Sequence, residues 1–456
     1  MSDNLPDNQN KENPGGRTWW LAGAALVILA TMLVCAVALA ATAGILVVRR
    51  LAADPATATT ATGTVLPAAG RIALVAADGA LTTLNPDGSD ARSLGEPDVG
   101  YQFPAWSADG TRIAAVATGG TQAAVQVIED SAATAPVELY GNAINPPFYL
   151  YWSPDDRQVS FLANDRNSIA LWLAAADGQT AARKIATGQP FYWSWTADSR
   201  QLLVHSGGLG AESRLAFIDT EGNAAGGNLA TPGLFQAPGI SPDGRYLAFS
   251  QASGEQFEVA VQEAAGGAQS TVRQLGLSAL SWSPANDDLA FISPGRRQLT
   301  FVGPLQVIDA ATGAVRTLVQ DRVIAFFWSP DGKTIATLTQ NSGRSSPGAA
   351  RSPEFTAASP AGSQQAAEVL LDLAVVDVDS GQSRTLASFR PSDVFLGQFL
   401  PYFDQYALSH RIWSPASDAL VLPMVDDRGE AGIYVVSLEG GAPTRIANGV
   451  MAFWSR

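Results

Sequence analysis

Short apolar runs recur from residue 70 to the end of the chain, and polar or glycine-bearing turns separate them. The runs are four or five residues long and rich in Val, Ile, Leu and Phe, which is typical of buried strands and too short for helices. The pattern therefore predicts an all-β fold. One run in each group reads RIAAV (112–116), QVSFL (158–162), QLLV (201–204), YLAF (246–249), DLAFI (288–292), TIATL (334–338) or ALVL (419–422).

A tryptophan-centred motif precedes each of these runs. Neighbouring motifs start 46, 43, 45, 42, 46 and 85 residues apart, and the last interval is one repeat with an insertion. A period of about 40–50 residues is typical of a four-stranded propeller blade. Pro and Asp favour a tight turn, Gly accepts the dihedral angles that follow, and Trp fills the gap between blades, so the motif is predicted to be structural. The copies are WSADG (106–110), WSPDD (152–156), WTADS (195–199), ISPDG (240–244), WSPAN (282–286), WSPDG (328–332) and WSPAS (413–417).

The two ends of the repeat region complement each other. Residues 453–456 (FWSR) are a motif cut after its second residue, and residues 70–76 read as the strand that follows a motif. Trp454 is the eighth motif position, 41 residues after Trp413. Pairing the two segments would close a ring without an exposed sheet edge. We therefore expect an eight-bladed β-propeller over residues 70–456, with six or seven blades as alternatives.

The long interval between the last two complete motifs contains two unlike parts. Residues 341–367 consist mainly of Ser, Gly, Ala, Pro and Gln, a composition that buries too little apolar surface to fold, so a disordered insertion is predicted. Residues 389–406 are predicted to form an ordered flap. This second part is aromatic, with Phe395, Phe399, Tyr402, Phe403 and Tyr406.

The N-terminal region predicts a membrane anchor. Residues 19–48 carry no charge and are long enough to cross a bilayer core as one helix. A cleaved signal peptide is the alternative, although its apolar region would normally be shorter. Residues 1–18 form a short polar tail, and residues 49–69 read as a flexible linker. Lys and Arg are equal in number on the two sides of the span, so charge does not decide its orientation.

Composition narrows the chemistry. The formal charge of −14 argues against a nucleic-acid partner, which requires a basic surface. One cysteine and two histidines allow no disulfide within the chain and disfavour a zinc site, so no cofactor and no metal are expected. Calcium at the acidic turns 426–430 or 377–379 is a weaker alternative to solvated turns.

The motif and the run after it resemble the TolB-type, WD40-like PD40 β-propeller repeat, which centres on Trp-Ser-Pro-Asp-Gly followed by Arg-Ile-Ala-Phe. The resemblance covers residues 70–456. This chain departs from the pattern at Ile240, Asp156, Ser199, Ala285 and Ala416. The resemblance implies an extracytoplasmic module for protein interaction or ligand binding. It implies no catalytic residues, because the matched positions are structural, and well-known members of the family have six blades.

Aromatic residues crowd the strands that enter the motifs. If these strands are innermost, alternate side chains face the central channel and one of its mouths, where aromatic groups suit peptide or glycan ligands. Packing between blades is the competing explanation. The candidate ligand-binding residues are Tyr101, Phe103, Tyr149, Tyr151, Tyr192, Trp193, Phe235, Phe326 and His410.

The sequence therefore predicts a single-pass protein of the cell membrane whose extracytoplasmic propeller acts as a protein-interaction or ligand-binding scaffold and not as an enzyme. Its expected partners are the membrane, through residues 19–48, and a protein, peptide or glycan on the propeller face. The alternative is a propeller hydrolase or lyase that uses channel carboxylates. Two carboxylates about 5–10 Å apart inside the channel would favour the enzyme, whereas an aromatic channel would favour binding.

Overall fold

The computed structural model describes residues 69–210, 212–296, 298–341 and 369–456, and their regular structure is almost entirely β-strand. These residues belong to one compact unit, Pro55–Arg456. The predicted tail, the predicted membrane span, the linker up to residue 68 and the insertion from residue 342 onward lie outside the described residues. Within the described ranges, no helix has the length and apolar character needed to span a bilayer.

Antiparallel hairpins assemble the strands into sheets whose order mostly follows the chain. Because neighbouring strands are joined by short turns, each sheet is built from residues close in sequence. Five separate sheets are formed as follows. The first contains Met451–Trp454, Ile72–Val75, Leu81–Leu84 and Arg92–Leu94; the second Gly100–Trp106, Arg112–Gly119, Gln122–Glu129 and Val137–Asn142; the third Pro147–Trp152, Gln158–Asp165, Ser168–Ala175 and Arg183–Gly188; the fourth Phe191–Trp195, Gln201–Ser206 and Arg214–Asp219; the fifth Gly239–Ile240, Tyr246–Ser253, Gln256–Glu263 and Gln269–Gln274.

A sixth, ten-stranded sheet holds three repeats in series. Val315–Trp328 pairs with one neighbour through its first part and with the next through its last part, and the register shifts between the two. Ser383–Pro391 passes from one repeat to the next in the same way. The strand order is Leu280–Trp282, Asp288–Ile292, Gly303–Asp309, Val315–Trp328, Thr334–Gln340, Leu371–Asp377, Ser383–Pro391, Ala419–Val425, Ala431–Ser437 and Thr444–Asn448.

The first sheet joins the two ends of the repeat region. Ile72 pairs with Trp454 and Val75 pairs with Met451, and all residues of these two strands are buried. The backbone N–H of Ser455 donates to the carbonyl of Arg71 at 2.7 Å, which extends the pairing by one step. The predicted pairing of the end segments is therefore confirmed.

The motif tryptophans connect neighbouring repeats through their indole N–H groups. In four repeats the indole donates to the carbonyl of the residue just before the motif tryptophan of the adjacent repeat. Burial makes such a bond valuable, because an unpaired indole N–H in the core is costly. The pairs are Trp106 with Phe453 (3.2 Å), Trp152 with Ala105 (2.9 Å), Trp328 with Ser281 (3.0 Å) and Trp413 with Phe327 (3.0 Å).

The motif turn is fixed by its own side chains. The Ser107 hydroxyl donates to Asp109 at 2.6 Å and accepts from the backbone N–H of Arg112 at 3.0 Å. The fifth position has a positive φ, as at Gly110 (69°) and Gly332 (70°), so glycine is the unstrained choice there. The same hydroxyl-centred bonds recur at Ser153, Thr196, Ser241 and Ser329.

At three of the four motifs whose fifth position is not glycine, the side chain at that position bonds to the adjacent repeat, and the exception is Asn286, which bonds to Asp288 of its own repeat. Asp156 accepts from the backbone N–H groups of Ala108 (2.6 Å) and Asp109 (2.9 Å). The hydroxyl of Ser417 accepts from the backbone N–H of Asp331 at 3.1 Å. These residues keep a positive φ, 58° at Asp156 and 62° at Ser417, so the inter-repeat bond offsets the backbone strain.

Candidate functional site

Residues 392–410, which we call the aromatic segment, follow the strand Ser383–Pro391 and lead to Trp413. The chain forms a π-helical turn over Phe395–Phe399, a 3₁₀ turn over Leu400–Tyr402 and a short helix over Phe403–Tyr406. The Ser392 hydroxyl accepts from the backbone N–H of Phe395 at 3.2 Å and donates to the carbonyl of Val450 at 2.6 Å. These bonds start the turn and fix its entry against the first sheet.

The aromatic segment packs against several of the strands that enter the motifs. Tyr406 stacks on Phe103 of the second sheet with ring centroids 4.8 Å apart, and it meets Tyr149 of the third sheet edge-on at 5.0 Å. Phe403 meets Phe326 of the sixth sheet at 5.5 Å. The segment is therefore ordered, as predicted for a flap, but it fills the interior instead of covering the outside.

Gln405 ties the aromatic segment to an inner strand. Its side-chain oxygen accepts from the backbone N–H of Trp193 at 2.9 Å, and its side-chain nitrogen donates to the carbonyl of Trp193 at 2.9 Å. The same nitrogen lies 3.2 Å from the hydroxyl of Tyr149. One amide thus takes the place that a further strand would occupy beside Trp193.

A hydrogen-bonded chain leads from the end of the aromatic segment back to the second sheet. His410 Nε2 lies 3.0 Å from the carbonyl of Phe103, so it carries the proton and donates. His410 Nδ1 then accepts from the hydroxyl of Ser409 at 2.6 Å, and that hydroxyl lies 2.8 Å from the hydroxyl of Tyr149. Burial lowers the pKa of His410 to about 4, so the ring is neutral at pH 7.

Asp404 is a buried carboxyl in the aromatic segment. Its side chain accepts from the backbone N–H groups of Gln405 (2.9 Å) and Ala237 (3.2 Å). No salt bridge to Asp404 is formed within the described ranges. Burial therefore raises the pKa of Asp404 to about 7, although the two backbone bonds act in the opposite direction.

The structure divides the nine predicted ligand-binding residues into groups. Tyr192 and Phe235 flank His205, with Phe235 stacked on it at 4.1 Å. Tyr101 lies apart and bonds to Gln126 at 3.0 Å. Their role in ligand binding stays a prediction, and a ligand would have to displace the aromatic segment to reach the central group. That central group consists of Phe103, Tyr149, Trp193, Phe326 and His410.

The ninth residue, Tyr151, lines a small open pocket with a cavity volume of about 60 Å³. The pocket lies at the end of the sheets that carries the motif turns, which we call the motif end, and the opposite end is called the loop end. Sequence reasoning missed the basic residue Arg456 of this pocket, because Arg456 stands at a motif position, where the other repeats have Pro or Ala, and the motif was interpreted as structural. Its walls are Trp106, Ala108, Tyr151, Trp152, Ser153, Pro154, Leu408, Ser409 and Arg456.

The acidic turns proposed as calcium sites are occupied by internal contacts. Asp426 accepts from the backbone N–H groups of Arg428 and Glu430, both at 2.9 Å, and pairs with Arg445 at 3.1 Å. Asp377 accepts from the backbone N–H of Ser380 at 2.8 Å. In the part of the chain that the structure describes, no group of three or more His, Cys, Asp or Glu is arranged to hold a metal ion.

The comparisons with known proteins found similar solved structures but no match among protein families or curated sequences. TolB from Acinetobacter baumannii is 20% identical over 56% of this chain and 65% of its own chain, with a TM-score of 0.36. A structure of prolyl endopeptidases is 11% identical over 79% of this chain and 50% of its own, with a TM-score of 0.50. An oligogalacturonate lyase in complex with manganese is 12% identical over 84% of this chain and 86% of its own, with a TM-score of 0.44.

These neighbours bear on the fold and not on the activity. This chain spans less than two thirds of the TolB chain and half of the prolyl endopeptidase chain. TolB proteins and other β-propeller proteins are among the neighbours, and they include enzymes as well as TolB. At these identities the likeness concerns architecture alone. Together with the sheet topology, it identifies a mostly β, propeller-like fold built from antiparallel sheets.

Proposed function

We propose that this protein is a membrane-anchored, extracytoplasmic scaffold whose eight-bladed propeller binds a protein or another ligand on its faces. Five separate sheets and the three repeats of the ten-stranded sheet supply the eight blades. Residues 19–48 supply the anchor and residues 49–69 the tether. The PD40 type of TolB-like repeat is the proposed family.

The observation that carries the proposal is the aromatic filling of the interior. Phe399, Phe403 and Tyr406 occupy the space between the inner strands, and ring contacts surround them. An interior filled in this way leaves the two ends of the propeller as binding surfaces. Rigid sheets with accessible loops are a common scaffold for recognition.

The rival proposal is a hydrolase or lyase that uses a pair of channel carboxylates. Among the described residues, the buried carboxyls are Asp130 and Asp404. Asp130 pairs with Arg71 at 2.8 Å and Arg92 at 2.9 Å, outside the interior filled by the aromatic segment. Asp404 thus lacks the second carboxyl that such chemistry requires, which favours the binding proposal.

Exposed apolar side chains on loops at the loop end are the natural contact points for a protein partner. Ile144, which is 86% exposed, lies in the loop that enters the strand Pro147–Trp152. Leu209, which is 55% exposed, lies between Ser206 and Arg214. Because strands alternate in direction, both loops lie opposite the motif turns.

Site-specific photo-crosslinking in intact cells tests the scaffold proposal. A photoreactive amino acid at position 144 or 209 of the full chain should give discrete adducts with one protein. The matched control is position 311, an exposed alanine in a turn at the motif end. Adducts that appear equally from all three positions, or from none, would contradict the proposal.

Membrane topology needs a separate measurement. A cysteine introduced at position 311 should react with a membrane-impermeant maleimide in intact cells, because the propeller is proposed to lie outside the cytoplasm. The native Cys35 lies within the proposed span and serves as the background control. Labelling that requires cell lysis would refute the extracytoplasmic location.

A further inference from the structure

The pocket at the motif end has apolar walls whose polar groups are already satisfied. The indole N–H of Trp106 donates to the carbonyl of Phe453, and that of Trp152 donates to the carbonyl of Ala105. Pro154 and Leu408 complete these walls. Trp106 and Trp152 are 6% and 5% exposed, so the walls present only a small part of each indole, together with Pro154 and Leu408.

The polar side of the pocket carries donors without partners. Within the described ranges, the hydroxyl of Tyr151 and the guanidinium of Arg456 form no hydrogen bond and no ion pair. The hydroxyl of Ser409, by contrast, is engaged by His410 and Tyr149. The pocket thus offers one cationic and one neutral donor with free capacity.

Arg411 adds a second unpaired cation beside this pocket. Its backbone carbonyl accepts from the N–H of Trp454 at 2.7 Å, which places it on the strand next to the one that leads to Arg456. In the described part of the chain, no carboxylate lies within ion-pair distance of its guanidinium. Arg71, another partly buried arginine, pairs with Asp90 and Asp130 at 2.8 Å each, which is the usual arrangement.

The three groups act on one another electrostatically. Burial and the nearby positive charge of Arg456 lower the pKa of Arg411 to about 10. Burial raises the pKa of Tyr151, while Arg456 and Arg411 act to lower it. Within the described ranges, these two neighbouring guanidinium groups pair with no carboxylate side chain, in a chain whose formal charge is −14.

We propose that Tyr151, Arg411 and Arg456 form a binding site for an oxyanion, a carboxylate or phosphate group carried by a small flat apolar or aromatic body. Guanidinium groups bind both anions through paired N–H donors, and the tyrosine hydroxyl donates a further bond. The body of the ligand lies against Pro154, Leu408 and the exposed parts of Trp106 and Trp152. The site is at the motif end, so it is independent of the protein contacts proposed for the loop end.

Calorimetric titration of the purified full chain tests the proposal, with sodium benzoate, inorganic phosphate and neutral benzamide as probes. Benzoate or phosphate should bind, and benzamide should not. Arg411→Gln should weaken binding about 30-fold, because a hydrogen bond between charged groups is lost. Tyr151→Phe should weaken it about 5-fold, because a hydrogen bond to an uncharged donor is lost. The control Arg322→Gln, an exposed arginine in the strand Val315–Trp328, should leave the affinity unchanged.

The outcomes separate the two sources of the anion. Tighter binding of benzoate than of phosphate identifies a carboxylate ligand whose ring contacts the tryptophans, and the reverse order identifies a phosphate ligand. Arg456→Gln changes an exposed side chain, so it tests the site even if Arg411→Gln perturbs folding. Absence of binding for both anions at about 10 mM, or full affinity in Arg411→Gln and Arg456→Gln, would overturn the proposal.

Discussion

Replacement of Gln405 by leucine removes the amide that bridges the aromatic segment and the fourth sheet. Leucine keeps most of the side-chain volume, so the main change is the loss of hydrogen bonds and not the creation of a cavity. The backbone N–H and carbonyl of Trp193 then lose their partners in a buried place, since Gln405 is 4% exposed and Trp193 is fully buried.

The expected cost follows from the two orphaned backbone groups. Each buried group without a partner costs about 1–3 kcal/mol, so the free energy of unfolding should fall by about 4 kcal/mol. With an unfolding entropy of about 2 cal/mol/K per residue, a propeller of this length should melt about 5 °C lower. Gln405→Glu keeps the acceptor for the N–H of Trp193 but loses the donor to its carbonyl, and it adds a buried charge next to Asp404.

Differential scanning calorimetry of the full chain measures the change in melting temperature. Gln179→Leu is the matched control, because Gln179 is exposed and its side chain makes no contact that the replacement removes. Hydrogen exchange at the amide of Trp193 should accelerate in Gln405→Leu and not in the control. A Gln405→Leu protein that melts within about 1 °C of the wild type would refute this account of the aromatic segment.

Substitutions at the indole groups, the motif turn and the buried carboxyl test other contacts. Trp152→Phe should lower the free energy of unfolding, measured in urea, by about 1 kcal/mol more than Trp282→Phe does. The indole N–H of Trp152 donates a hydrogen bond that phenylalanine loses, whereas the buried indole N–H of Trp282 has no partner among the described residues. Equal losses in the two variants would contradict this. Ser417→Ala should lower the free energy of unfolding by about 1 kcal/mol, because the bond to the N–H of Asp331 is lost. Ser417→Gly loses the same bond but should leave the free energy of unfolding almost unchanged, because glycine relieves the strain of the positive φ. A glycine variant less stable than the alanine variant would show that the backbone is not strained at this position. The raised pKa of Asp404 stabilises the wild type at low pH, and this stability is lost as the pH rises towards about 7. The free energy of unfolding of Asp404→Asn should therefore rise relative to that of the wild type by about 1.4 kcal/mol for each pH unit between about pH 5 and pH 7. A difference between the two proteins that does not change with pH would refute the burial argument.

The repeat-level architecture was accessible from sequence because its signals are local. The motif, its period and the strand after it predicted the hairpins and the pairing of Ile72 with Trp454. The departures from glycine at Asp156 and Ser417 were visible, but their bonds to adjacent repeats depend on how turns approach one another in space. Periodicity carries no information about that approach.

The interior was harder to predict, because alternation shows which side chains point inward and not what they meet. For the aromatic residues near the motifs, the sequence left open a channel mouth or packing between blades, and neither alternative included their packing against Tyr406 and Phe403 of the aromatic segment. Arg411 did leave a sequence signal that sequence reasoning overlooked. It lies two positions before its motif tryptophan, where the other repeats have an apolar residue or proline: Pro104, Leu150, Trp193, Pro238, Leu280, Phe326 and Ala452.

The pairing of Ile72 with Trp454 makes the first sheet a latch for the whole ring. Pairing residues this far apart in the chain has an entropic cost that grows only with the logarithm of their separation. The length-dependent part of this cost is about 5 kcal/mol of free energy. Every repeat lies between the two paired strands, so a separation anywhere in the ring relaxes the geometry that keeps them together. The pairing therefore couples the repeats. A repeat architecture whose units could otherwise unfold one at a time is expected to unfold cooperatively.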